Sequence, residues 1–251
     1  MSRSFTTITA LLLGASVAAA QSGGTHRHES SAAPHAAPKS GGSNAPADPS
    51  HAVHEAMSGD MSANPHVRMS PRRVASPADS VRAAKIVADA RSSLARYKDV
   101  RVAEREGYRM FAPNVKQDVY HFTKLGAALR AQFSLDVARP SSLLYRRTDD
   151  GSMQLVGAMY TAPKTASLAE LNERVPLGIA RWHLHTNMCV PRLAQKERWV
   201  EIEDGKMVFG PASPIATREA CNAVDGRFLP VVFNWMVHAN VFETDVWGDH
   251  H

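Results

Sequence analysis

Cysteine is almost missing from this chain: Cys189 and Cys221 are the only two among 251 residues. No C-x-x-C pair occurs, which excludes a thioredoxin-type redox motif. A G-x-S-x-G elbow and a phosphate-cradling glycine loop are also lacking, so neither an α/β-hydrolase nucleophile nor a nucleotide-binding loop is written here. No apolar run reaches the roughly 20 residues that span a bilayer. Charge of one sign is scarce in excess as well. Lys and Arg total 29 against 24 Asp and Glu, a net charge of +5 spread along the chain. That is not the concentrated basic stripe that phosphate recognition needs, so nucleic acid is not an expected partner.

What is present begins with the first twenty residues. Arg3 forms a short positive region, Ile8 to Val17 is mostly apolar, and Ala18-Ala19-Ala20 supplies small residues before Gln21. This order predicts a signal peptide over residues 1–20, and a periplasmic or secreted protein without stable membrane insertion. Two cysteines in an oxidising compartment predict one disulfide, closing a loop of about 30 residues and contributing ~3 kcal/mol on a chain-entropy account. A Cys189 thiolate acting as a metal ligand is the alternative reading of that residue.

Residues 21–75 are rich in Ala, Pro, Ser, Gly and His and nearly empty of large aliphatic side chains. Such a stretch cannot bury enough apolar surface to offset the entropy of ordering it, so a disordered linker is expected. It carries His26, His28, His35, His51, His54 and His66, with Met57, Met61 and Met69. Imidazole and thioether together suit both copper oxidation states, which reads as a metal-capturing tail. The plainer reading is a solvated linker with incidental histidines.

Order is expected from Ser76, where Ser76-Pro77-Ala78-Asp79 has the pattern of an N-cap, a proline at the first helical position and an acid at N3. Val81, Ala84, Val87, Ala88, Leu94 and Ala95 follow at helical spacing, predicting a helix to about Tyr97. Shorter helices are expected at 100–106, 124–132, 168–174 and 217–224. Strands are expected at 143–147 and 153–161 around Asp149-Asp150-Gly151, and at 199–203 and 207–209 around Asp204-Gly205. Longer strands are expected over 177–189 and 231–242. Helices first and strands afterwards predict a single α+β domain over residues 76–251, with N-terminal helices packed on a mostly antiparallel sheet.

The chemistry is concentrated in Trp182-His183-Leu184-His185-Thr186-Asn187-Met188-Cys189. In an extended chain, alternation puts His183, His185, Asn187 and Cys189 on one face and Trp182, Leu184, Thr186 and Met188 on the other. A second strand places His238 and Asn240 opposite Val237, Ala239 and Val241. If the two strands are neighbours, His183, His185 and His238 form a three-histidine metal site with an open position. Glu243, Asp245, His121, His250 or His251 are candidates for a fourth ligand, and Asn187 and Asn240 for orienting the imidazoles. His121, between Tyr120 and Phe122, also reads as a structural histidine.

The expected function is therefore an exported metal-binding protein, with copper slightly ahead of zinc and the metal ion as its partner. Two alternatives remain open. One is a metal-dependent oxygenase or hydrolase using the same histidines, with Glu243 as acid or base, for which a deep cleft beside the imidazoles would speak. The other is a metal-free secreted interaction domain, for which His183 and His238 on opposite sides of the sheet would speak.

The runs Leu143-Leu144-Tyr145-Arg146, Leu155 to Pro163, Arg181 to His185, Phe209-Gly210-Pro211 and Phe233 to His238 resemble a group of secreted bacterial proteins with a WHxH strand motif and no established activity. That resemblance covers roughly residues 100 to 247 and implies export and a single domain. A looser likeness is to the cupins, whose first motif has a glycine leading to H-x-H and then a glutamate. Here Gly178 leads to His183-Leu184-His185, with Cys189 near the glutamate's place, and His238 stands where the second motif's histidine falls. The cupin likeness implies a β-barrel and oxygenase chemistry.

Overall fold

The computed structural model describes residues 64–113 and 117–248. The expected signal peptide, most of the linker, His250 and His251 lie outside the described residues.

Helix α1, Pro77–Leu94, starts as its sequence requires. The Asp79 amide donates to Ser76 Oγ at 3.1 Å, and Asp79 Oδ2 accepts from the Ser76 amide at 3.0 Å. This reciprocal cap satisfies donors that a helix leaves free at its start. Ala83, Val87, Ala90 and Leu94 form the buried stripe, and a 3-10 turn over Ala95–Lys98 adds the buried Tyr97. Four short helices follow: α2 (Val100–Arg105), α3 (Leu125–Arg130), α4 (Leu168–Arg174) and α5 (Arg218–Ala223).

The strands are β1 (Val67–Met69), β2 (Arg109–Met110), β3 (Tyr120–Thr123), β4 (Ser142–Arg147), β5 (Met153–Ala162), β6 (His183–Val190), β7 (Ile202–Glu203), β8 (Lys206–Met207), β9 (Arg227–Val231) and β10 (Trp235–Ala239). Eight of them make one sheet in the order β1-β6-β10-β5-β4-β3-β2, with β9 also paired to β6. Every pairing is antiparallel. The α+β architecture is thus as the sequence implies. A cupin-like barrel is not: β1 and β2 end the sheet at opposite edges without pairing to each other, so it stays open.

Within the disordered linker expected over residues 21–75, residues 64–75 are ordered. β1 lies inside that stretch and pairs with β6, Val67 opposite His185 and Met69 opposite His183. Backbone pairing and a fully buried His66 hold a segment with little apolar surface of its own.

The two faces of the sheet differ. Phe122, Leu143, Tyr145, Tyr160, Leu184 and Val237 belong to the main core, together with Ala90 and Leu94 of α1. The opposite face carries a small apolar group, Leu144, Val156, Met159 and Met236, and the histidines described below. A bulge between Leu144 and Tyr145 marks where β4 and β5 shift register. There the backbone at the end of β10, Ala239 and Asn240, comes close to β5. A Cβ on Gly157 would lie 2.1 Å from the Ala239 carbonyl oxygen, so only glycine fits. Gly157→Val should cost ~3 kcal/mol through overpacking against rigid backbone. Urea denaturation is the check, and a loss under about 0.5 kcal/mol, the size of an ordinary surface change, would contradict the close approach.

Cys189 at the end of β6 is bonded to Cys221 in α5, with Cα atoms 5.5 Å apart. The expected disulfide is present, and the thiolate-ligand reading of Cys189 is thereby overturned. The pair sits in a separate small core with Val208 and Phe209. A Cβ on Gly226 would come within 2.5 Å of Cys189 Sγ and 2.8 Å of Cys221 Sγ. Among the described residues no helix is long and apolar enough to cross a membrane.

Candidate functional site

The histidine face follows from alternation. Trp182 and Leu184 are fully buried in the main core. His183 and His185 therefore project to the other side of β6. β10 lies beside β6 with Met236 opposite His183, the adjacency on which a shared site depends. His238, two residues further along β10, falls on the same face as Met236, opposite Met159 of β5. His183 and His238 thus share one side of the sheet, with ring centroids 5.2 Å apart. The His183 and His185 rings are 5.5 Å apart.

His121 joins them from β3. β3 and β10 are separated in the sheet by β4 and β5. At about 4.8 Å per strand, a flat sheet would hold them some 14 Å apart. Yet His121 Nε2 lies 3.4 Å from His238 Nε2. Both side chains lean over the intervening strands, and a coiled sheet brings them together. The alternation of Tyr120 and Phe122, both buried, with His121 and Thr123 is the sequence signal for this strand and for the direction of His121.

These four histidines line one cleft of about 470 Å³. Its walls are otherwise mostly apolar: Phe111, Val119, Met159, Val231, Phe233 and Met236 contribute, with Lys164 and Asp118 as the charged groups. Phe111 and Phe233 meet edge to face with centroids 6.3 Å apart, and Phe233 stands 5.9 Å from the His185 ring. The Thr161 hydroxyl, at the wall, has no hydrogen-bond partner among the described residues.

Burial sets the protonation of two of these rings. It pushes His121 down to about 4, aided by the nearby His185. It likewise pushes His185 down to about 4, aided by His66. Both are neutral near pH 7, with a ring nitrogen lone pair to offer.

The spacing suits a shared ion in part. Two imidazole nitrogens bound to one tetrahedral metal at about 2.0–2.1 Å are about 3.3 Å apart. The His121–His238 separation is close to that value. Among the described residues, however, no three His, Cys, Asp or Glu side chains already converge as they would around a metal.

Other expected site residues lie elsewhere. Asn187 has φ 53°, and this left-handed residue breaks the alternation of β6. Its carboxamide donates to the Pro65 carbonyl, and Cys189 turns into the disulfide core. Glu243 is ion-paired with Arg146, and neither it nor Asp245 lines the cleft. His66 is structural: its ring is held between the Asn187 carbonyl at 3.0 Å and the Ser213 carbonyl at 2.5 Å. Compared with protein-family models, with curated proteins and with solved structures, the chain matches none.

Proposed function

We propose that this is an exported protein, periplasmic or secreted, that binds a transition-metal ion through His183, His185 and His238, with His121 as the fourth donor. The observation that carries the reading is the gathering of four imidazoles from β3, β6 and β10 in one cleft, two of them at nearly metal-bridging distance. The His183 ring stands 5.2 Å from that of His238 and 5.5 Å from that of His185, so two further imidazoles lie beside the close pair. The thioethers of Met159 and Met236 in the same lining favour copper over zinc, since sulfur is the softer donor. The Cys189–Cys221 disulfide and the N-terminal sequence pattern support export.

Metal content of the full chain, purified without an affinity tag, tests this. Mass spectrometry and titration calorimetry with Cu and Zn should find about one tight equivalent. Replacing His183, His185 and His238 by Ala should weaken it at least ~100-fold, beyond the loss usual for groups that only support a ligand. Full retention in that variant would move the metal to the His/Met-rich N-terminal residues and refute the cleft site. The cleft also favours a second reading, a metal-dependent hydrolase or oxygenase, because a volume of this size beside the imidazoles has room for a substrate.

A further inference from the structure

A metal ion alone does not account for the cleft. A bound ion and its remaining waters fill a small part of about 470 Å³, a volume in the range of pockets that take small organic molecules. Much of the lining is side chain that no metal would use. Phe111 and Phe233 form an edge-to-face pair at its wall and are still about half exposed, 49% and 46%. Val231 and Val119 extend the apolar surface inward, next to Met159 and Met236. Aromatic and thioether walls of this kind favour a flat, unsaturated body.

The charge of the lining is the second observation. Lys164 and Asp118 are its charged residues. Asp118 already has an interaction partner. Among the described residues Lys164 makes no hydrogen bond or ion pair, and of the charged groups described in the lining its ammonium is the free one. An anionic group on the ligand is the complement. The aromatic wall and the free ammonium together specify both ends of an occupant.

We infer that the cleft binds a small aromatic carboxylate, its ring against Phe111, Phe233 and the two methionines and its carboxylate at Lys164. This goes beyond metal binding and does not require it. The probe is 2-naphthoate, fluorescent in its own right, titrated into the full chain with and without a chelator, beside its neutral analogue 2-naphthalenemethanol. One saturable equivalent is expected, with naphthoate bound at least tenfold more tightly than the alcohol. Lys164→Gln, an exposed position, should erase that preference while leaving the alcohol unaffected. Phe233→Ala should weaken both probes several-fold. The absence of saturable binding, equal affinity for the two probes, or a preference that survives Lys164→Gln would each overturn the inference. Metal titrations on the same samples separate the two readings: naphthoate bound without any metal affinity sinks only the metal site, and metal bound without naphthoate sinks only the aromatic ligand.

Discussion

Between pH 6.5 and pH 4 the metal-free protein should lose about 4 kcal/mol of stability, split between His121 and His185. Each ring is held neutral by burial, with a folded-state value near 4 against 6.5 for the free side chain. In that interval the unfolded chain binds protons that the folded chain refuses, so stability rises with pH. The contribution is fully present above 6.5 and is lost as pH falls toward 4. A shift of this size corresponds to ~3 kcal/mol per ring, reduced here to ~2 because both remain partly open to solvent in the cleft. Lowered carboxylates act with the same sign at lower pH; Asp150, at about 2 through its bonds to Thr148 and Ser152, is the clearest. Urea denaturation at pH 7 and at pH 4.5, in the presence of chelator, measures the effect. His121→Leu should remove about half of the difference, and an unchanged difference would mean that the burial of His121 is not its source.

Removal of the disulfide should cost ~3 kcal/mol, whether by reduction or in a Cys189→Ala/Cys221→Ala double variant. The bridge joins residues 32 apart in sequence, so its main effect is to restrict the unfolded chain. The double variant adds a smaller term, because both sulfurs are fully buried beside Val208 and Phe209. The replacement of both cysteines matters, since a single one leaves a buried thiol facing a cavity. Thermal unfolding with and without reductant gives the number. The cleft lies at the other end of β6 and is held there by β1 and β10, so naphthoate should still bind to whatever fraction remains folded. Equal stability in both redox states would show that the loop through α5 is already ordered in the unfolded chain.

What could be read in the sequence was local. Ser76 to Asp79 announces α1 through chemistry confined to one turn, and Ser167 to Glu170 repeats that signature at α4. Asp149-Asp150-Gly151 marks the β4–β5 hairpin, with Gly151 at φ 81°. His183 and His185 separate cleanly from Trp182 and Leu184 because a strand alternates. The parts that escaped depend on distant partners. β1 and β2 have three and two residues, too few for any periodicity, and exist because β6 and β3 pair with them. The meeting of His121 with His238 spans 117 residues and two intervening strands, which no spacing reveals. Alternation alone puts Asn187 on the face of His185, but asparagine tolerates a left-handed backbone and takes that conformation here. Lys164 stands in no motif and Phe233 opens a run that assigns it no chemistry, so only the shape of the cleft gives the two a role.

The pairing of β1 with β6 also decides where this chain can be shortened. Ser76 is the natural place to cut if composition is the guide, since the helical pattern starts there. A protein beginning at Ser76 would lack Val67, Arg68 and Met69 and would present the edge of β6 at His183–His185 with nothing beside it. It would also lose the Ser70 hydroxyl that accepts from the Trp182 amide at 3.0 Å, and the His66 ring that fills the gap to Ser213. Bare strand edges recruit other chains. Such a truncation would turn the histidine strand into a seam for self-association, so aggregation in a shortened protein would report on a missing selvedge rather than on a defective domain.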